Sequence, residues 1–188
     1  MKKPELLAPA GSFEKAKVAF MYGADAVYCG TASLSLRSRA EVDDNDLEKT
    51  IKYAHSIGKK VYAALNIYAW DTNYEEIEKQ VKMLDEVHVD AIIASDGGVI
   101  QKIREIAPNI EIHVSTQANV VSYHAAKFWY DNGAKRVILG RETSKDQIQE
   151  IMKNKPEDLE VEMFIHGALC WAYSGRCFLS EYLSCRSA

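Results

Sequence analysis

Two cysteines, Cys170 and Cys177, lie in the densest stretch of chemically capable residues in the chain: Glu162-Met-Phe-Ile-His166-Gly167-Ala168-Leu169-Cys170, then Trp-Ala-Tyr-Ser-Gly175-Arg176-Cys177. Thiolates are soft ligands, and glycines beside them let a short loop turn both toward one metal or cluster. The spacing alone does not decide this, because a cysteine is also a small buried hydrophobe. Cys170 can equally serve as a nucleophile with His166 or His113 as its base, since such partners meet in space rather than in sequence. Neither a Gly-x-Ser-x-Gly elbow nor a His-Glu-x-x-His helix is written in the chain. A second cysteine seven residues on is unnecessary for a protease but expected for a cluster.

Other capable side chains fall where apolar runs end. Arg37 and Arg39 follow one run, Asn66 and Ser95-Asp96 end two more, and Arg141-Glu142 follows another. Two runs put such groups on one face by the period-two alternation of a strand: His113, Ser115 and Gln117, then Asn119; and Glu162, Phe164 and His166. The candidate catalytic groups are thus His113, Gln117, Glu162 and His166. The candidate substrate contacts are Arg37, Arg39, Asn66, Asn119, Arg141 and Arg176. Acidic residues crowd the helical stretches while arginines gather at these ends, so an anionic substrate, a carboxylate or a phosphate, is expected. For any single arginine a salt bridge to Asp96, Glu142 or Glu162 is the plainer explanation.

The elements that must position these groups alternate without a break. Strands are expected at Glu5–Pro9, Ala26–Cys29, Lys60–Ile67, Ala91–Ser95, Glu111–Thr116, Arg136–Leu139 and Val161–His166, with helices at Phe13–Tyr22, Asp46–Ser56, Tyr74–Val87, Val99–Ile106, Ser122–Asn132 and Lys145–Lys153. Ser12 is placed to cap the first helix, and Asn73 with Glu76 and Ser144 with Gln147 have capping-box spacing. One helix-to-strand turn is written twice, as Tyr22-Gly23-Ala24-Asp25-Ala26-Val27 and Asn132-Gly133-Ala134-Lys135-Arg136-Val137. Its glycine suits the left-handed residue that closes a helix. Strands alternating with helices give a parallel sheet with right-handed crossovers.

Polar residues alternating along the strands, and the lack of a Gly-x-Gly-x-x-Gly turn, favour a TIM-type barrel over a doubly wound sheet. Seven strands and six helices in 188 residues make that α/β barrel incomplete, since a closed one takes about 250. Residues 1–188 read as a single such domain, cut within the cysteine motif. Its two open edges invite pairing, so a homodimer is expected. The net charge of −4 argues against a surface that binds nucleic acid everywhere, though not against a local basic site. No apolar run approaches the roughly 18 residues of a membrane span, and no h-region follows the N-terminal lysines, so a cytoplasmic protein is expected.

His166-Gly-Ala-Leu-Cys170 followed by Ser174-Gly-Arg-Cys177-x-Leu-Ser180 resembles the signature of the collagenase-like peptidases, family U32. Glu5-Leu-Leu-Ala-Pro-Ala-Gly11, Gly23-Ala-Asp-Ala-Val-Tyr28, Ser35-Leu-Arg37 and Ser115-Thr-Gln-Ala-Asn-Val120 match as well, so the resemblance runs over the whole chain in five motifs. The resemblance implies one of two activities. One is the peptidase activity of the family name. The other is oxygen-independent hydroxylation of tRNA or rRNA pyrimidines, or of a quinone ring, with prephenate as the oxygen source in the RNA-modifying members. It also implies a [4Fe-4S] cluster on four cysteines, the first two matching Cys170 and Cys177 and the others lying past Ala188; the 188 residues alone are then expected to hold none. Cys29 and Cys185 match no usual ligand. Hydroxylation ranks first, peptide hydrolysis second, and a noncatalytic partner or subunit is the third reading.

Overall fold

The computed structural model describes residues 3–31, 41–167, 170, 172–175, 177 and 179–184. Arg37, Arg39, Arg176 and Cys185 lie outside them. The described elements are, in order, β1 (Leu7–Pro9), α1 (Phe13–Met21), β2 (Ala26–Thr31), β3 (Glu41–Val42), α2 (Asp44–Ser56), β4 (Lys60–Ala64), α3 (Tyr74–Glu86), β5 (Ala91–Ala94), α4 (Gly97–Ile106), β6 (Glu111–Val114), α5 (Tyr123–Asp131), β7 (Arg136–Ile138), α6 (Lys145–Asn154), β8 (Glu160–Glu162) and α7 (Leu179–Ser184). The sheet runs β1-β2-β4-β5-β6-β7-β8, every pair parallel, with β3 a two-residue strip beside β2. Seven sequential parallel strands and six intervening helices make the incomplete TIM-type barrel that the sequence pattern predicts.

Alternation along each strand sorts its side chains between two cores. Val27, Cys29, Val61, Ala63, Ile92, Ala94, Ile112, Val114 and Val137 face the helices. Ala26, Tyr62, Ala64, Ala91, Ile93 and Ile138 line the concave side instead. The helices supply matching stripes at helical spacing, such as Ile77, Val81 and Leu84 on α3 and Val99, Ile100 and Ile103 on α4. Ser12, Asp43, Asp96, Ser122 and Ser144 each accept a backbone N–H at the head of the following helix, and Ser144 with Gln147 completes a capping box.

The twice-written turn is a Schellman closure. The amide of Gly23 donates to Phe20 O and that of Ala24 to Ala19 O, with Gly23 at φ 100°; in the second copy Gly133 donates to Tyr130 O and Ala134 to Trp129 O, with Gly133 at φ 92°. The fold uses this closure twice more, after α2 at Gly58 and after α3 at His88, a non-glycine residue at φ 57°.

Three sequence expectations change. Asn73 does not cap α3; its Oδ1 accepts the amide of Trp70 at 3.0 Å and closes a short 3-10 turn, Asp71–Asn73, ahead of the helix. Strand β6 stops at Val114, because Ser115 caps a second 3-10 turn, Thr116–Ala118. Strand β8 stops at Glu162, so the period-two face that would carry Phe164 and His166 ends with it. At the end of β6 the Ser115 hydroxyl accepts the amide of Gln117, a local bond that turns the chain out of the sheet.

Candidate functional site

Side chains from four strands and the segment before β1 converge on the barrel axis. Arg136 of β7 donates to Glu5 Oε1 at 2.8 Å, to Glu162 Oε2 at 3.2 Å and, through Nε, to Glu160 Oε2 at 2.8 Å. Tyr62 of β4 donates its hydroxyl to the same Glu5 oxygen at 2.8 Å, and the guanidinium carbon lies 5.2 Å from the Tyr62 ring centre. His113 of β6 packs edge-on against that ring, with centroids 4.6 Å apart, and its Nε2 is 3.5 Å from Glu111 Oε2. For β7 to reach the residue ahead of β1, the sheet must curl, so this network is itself evidence of a barrel lumen.

The electrostatics follow from burial. Arg136 would lose charge by desolvation, but Glu5 and Glu160 outweigh this and raise its pKa. Glu162 is pushed up chiefly by burial, which Arg136 only partly offsets. Burial likewise lowers His113, with Arg136 adding to it against the pull of Glu111, and His113 Nδ1 has no hydrogen-bond partner. The unfolded chain therefore binds a proton at His113 from about pH 6.5 downward while the folded chain resists it, so this residue makes stability fall as pH drops through that window. Glu162 has the opposite sign, because protonation relieves its buried charge. Between pH 7.5 and 5.5 the wild type will lose up to about 1.4 kcal/mol more than His113→Gln, measured by urea unfolding at both values. Equal losses would show that His113 takes up its proton as readily in the folded chain as in the unfolded one.

The predicted site residues divide by height along the lumen. The sequence reading sets His113 at the rim with Gln117, Glu162 and His166; in the structure His113 is fully buried on the floor, beneath the mouth. Glu162 spans the levels, bonded to Arg136 below and lining a small lumen pocket of about 60 Å³ with Asn66, Ser115, Thr116, Tyr28 and Phe164. Gln117 accepts the Ser95 hydroxyl at 3.4 Å just beyond β6. Asn119 ends the same turn in a left-handed conformation, its buried Oδ1 without a hydrogen-bond partner. Asp96 is engaged as the cap of α4. His166 is exposed past the end of β8.

Beside the mouth, a cleft of about 640 Å³ opens between the β7–α6 loop and the cysteine loop, lined by Arg141, Glu142, Ile148, Met163, Phe164 and Cys170 among others. Arg141 is not free to meet a substrate with its whole fork: its Nη2 donates to Ala172 O at 3.0 Å. Cys170 is an exposed free thiol and Cys177 a half-buried one, its Sγ accepting the amide of Leu179 at 3.4 Å. No group of three or more His, Cys, Asp or Glu is placed to hold a metal among the described residues. What the loop offers is two soft donors on one strand-end turn, a fit for half the ligand set of a cubane cluster.

Arg136, Tyr62, Glu5, Glu160 and Ser174 were missed by sequence reasoning. One signal was available for Arg136: the two copies of the repeated turn differ where Ala26 stands in one and Arg136 in the other, an arginine at the first residue of an otherwise apolar strand.

The description "Peptidase family U32" matches residues 11–188. The chain is 49% identical over 98% of its length to tRNA hydroxylation protein P of Haemophilus influenzae, covering 40% of that protein. It is 38% identical over 98% of its length to a 23S rRNA 5-hydroxycytidine synthase of Escherichia coli, covering 27% of it. Among solved structures, one described as a U32 peptidase superposes with a TM-score of 0.69 at 14% identity, over 86% of this chain and 70% of that one, a likeness of fold. The chain thus spans less than half the length of these curated relatives.

Proposed function

Because the chain belongs to peptidase family U32, we propose that it is the barrel portion of an RNA-hydroxylating protein that adds oxygen to a pyrimidine of tRNA, without molecular oxygen and with a prephenate-like anion as donor. The observation that carries this reading is the near-full-length identity to a tRNA hydroxylation protein, combined with two free thiols on the loop beside the cleft. In the full gene product Cys170 and Cys177 would hold two irons of a [4Fe-4S] cluster, with two further thiolates from outside residues 1–188. Such a cluster, when bound, supplies one-electron chemistry at the mouth. The chain's own residues do the rest. Arg136, with its three carboxylates, plugs the lumen floor, so a substrate enters from the mouth alone. Phe164, shared by the lumen pocket and the cleft, gives a flat apolar surface for a base or ring. Glu162, whose pKa burial raises, lines that pocket and would meet a bound anion there, with Gln117, bonded to Ser95, as its proposed partner. Arg37, Arg39, Asn66, Asn119, Arg141 and Arg176 remain the proposed substrate contacts.

The test is expression in a strain lacking its own tRNA-hydroxylating proteins, with the nucleosides of tRNA and rRNA resolved by mass. A pyrimidine heavier by one oxygen in tRNA supports the reading. The same gain in rRNA alone would move the substrate, and none in either would end it.

The peptidase reading needs a base for Cys170. His113 cannot serve, sealed on the floor beneath Tyr62, and only the exposed His166 is left. Purified protein is therefore expected to leave gelatin intact in a zymogram; cleavage that disappears in Cys170→Ala would overturn this. Among the described residues no helix is long and apolar enough to cross a membrane; location in the cytoplasm is part of the proposal. So is self-association through the open edges of β1 and β8, read by light scattering.

A further inference from the structure

The loop between the two cysteines is tied to the barrel by a reciprocal set of bonds. The amide of Ser174 donates to Glu142 Oε1 at 2.7 Å, the amide of Arg141 donates to Ser174 Oγ at 2.9 Å, and Arg141 Nη2 donates to Ala172 O at 3.0 Å. Ser174 is buried at 4% exposure although it lies on a surface loop. All three bonds fall on residues 172–174, midway between Cys170 and Cys177, and both anchors are adjacent residues of the β7–α6 loop.

The base of the clamp has no slack. A β-carbon on Gly140 would lie 3.0 Å from Glu142 Oε2, 3.0 Å from Val121 Cγ1 and 3.1 Å from Asn119 Oδ1, so the backbone there is packed against the carboxylate on one side and the β6–α5 turn on the other. Thr143 adds its hydroxyl bond to Gly140 O at 2.7 Å. Partial burial opposes ionisation of Glu142, yet the Ser174 amide and hydroxyl, with Arg141, outweigh it and hold the carboxyl below the usual glutamate range. These donors favour the ionised form, and an ionised acceptor makes the stronger hydrogen bond.

We infer that Glu142 is a positioning residue: through Ser174 it fixes the cysteine loop over the cleft so that Cys170 and Cys177 present their sulfurs as one preorganised pair. The inference rests on the iron-binding reading above and adds a residue that acts on the sulfurs through Ser174. Groups that orient metal ligands from behind commonly change metal affinity by about 10–100-fold when removed. Glu142→Ala deletes the acceptor and leaves the buried amide of Ser174 unpaired, whereas Glu142→Gln keeps an acceptor at the same reach.

The experiment uses the full gene product purified without oxygen, as wild type, Glu142→Ala and Glu142→Gln, with two readouts. The first is hydrogen exchange of the peptide containing Ser174. The second is the rate at which bound iron passes to a chelator. The expected result is faster exchange and about ten-fold or more faster iron loss in Glu142→Ala, with Glu142→Gln recovering most of both. Iron loss at the wild-type rate in Glu142→Ala would overturn the positioning role while leaving the iron reading intact. So would equal damage from both variants, which would mark mere loss of fold. A wild-type protein that takes up no iron would bring down both, and that outcome is distinct.

Discussion

Arg136→Met will lower stability by about 3 kcal/mol, a fall in Tm of roughly 6–12 °C for a domain of this size. The side chain is 7% exposed and faces Glu5, Glu160 and Glu162 at once. Methionine fills the volume but leaves three carboxylates sharing a lumen without a counter-charge. Removing one partner of a buried ion pair costs about 3–5 kcal/mol, and the lower end applies because Glu160 is 46% exposed and can turn to water. Arg136→Lys will recover little, since an ammonium cannot reproduce a fork that meets three acceptors in different directions. Adding Glu162→Gln to Arg136→Met will recover part of the loss, because it removes the most buried of the stranded charges. Thermal unfolding of the four proteins decides it; a Tm for Arg136→Met within 2 °C of wild type, about what 1 kcal/mol or less would give, would mean that the floor network is solvated.

This network also marks where sequence reading stops. Alternation along β6 and β8 put His113 and Glu162 on the lumen side, and the structure keeps them there. Alternation gives the face of a strand but not its height in a barrel, because neighbouring strands are staggered by the shear of the sheet. His113 was therefore assigned to the mouth when it stands on the floor, level in register with Arg136. His166 leaves that face for a different reason: β8 ends at Glu162, so the period-two alternation does not continue to it. The repeated helix-to-strand turn was legible because glycine names it, while its use at His88 was not, since His88 carries no such mark. Ser174 illustrates the limit most sharply. Nothing in its type distinguishes it from any loop serine, and only the meeting of two loops more than thirty residues apart in sequence gives it a role.

Cys170→Ser and Cys177→Ser will each strip the full gene product of most of its iron and of its broad absorption near 400 nm, a rough figure for thiolate-bound iron–sulfur centres. Serine keeps the size of the side chain and removes the soft donor, so loss of colour reports ligation rather than packing. Cys29→Ala will keep its iron. That thiol is buried among the residues between sheet and helices, and burial pushes its pKa up to about 12, which disfavours the thiolate that metal binding needs. Bleaching by Cys29→Ala to the same degree as by Cys170→Ser would mean that the colour follows general stability and not the cysteine loop.

The central claim is that the cysteine loop at the barrel mouth serves hydroxylation of an RNA pyrimidine. It is tested most directly by comparing wild type with the Cys170→Ser, Cys177→Ser pair of variants in the strain lacking its own tRNA-hydroxylating proteins. Nucleosides from the tRNA of each strain are separated and weighed. The account predicts a pyrimidine one oxygen heavier with wild type, also in cells grown without oxygen, and none with either serine variant at equal protein level. Hydroxylated tRNA in both serine variants, or none in the wild type, would contradict it.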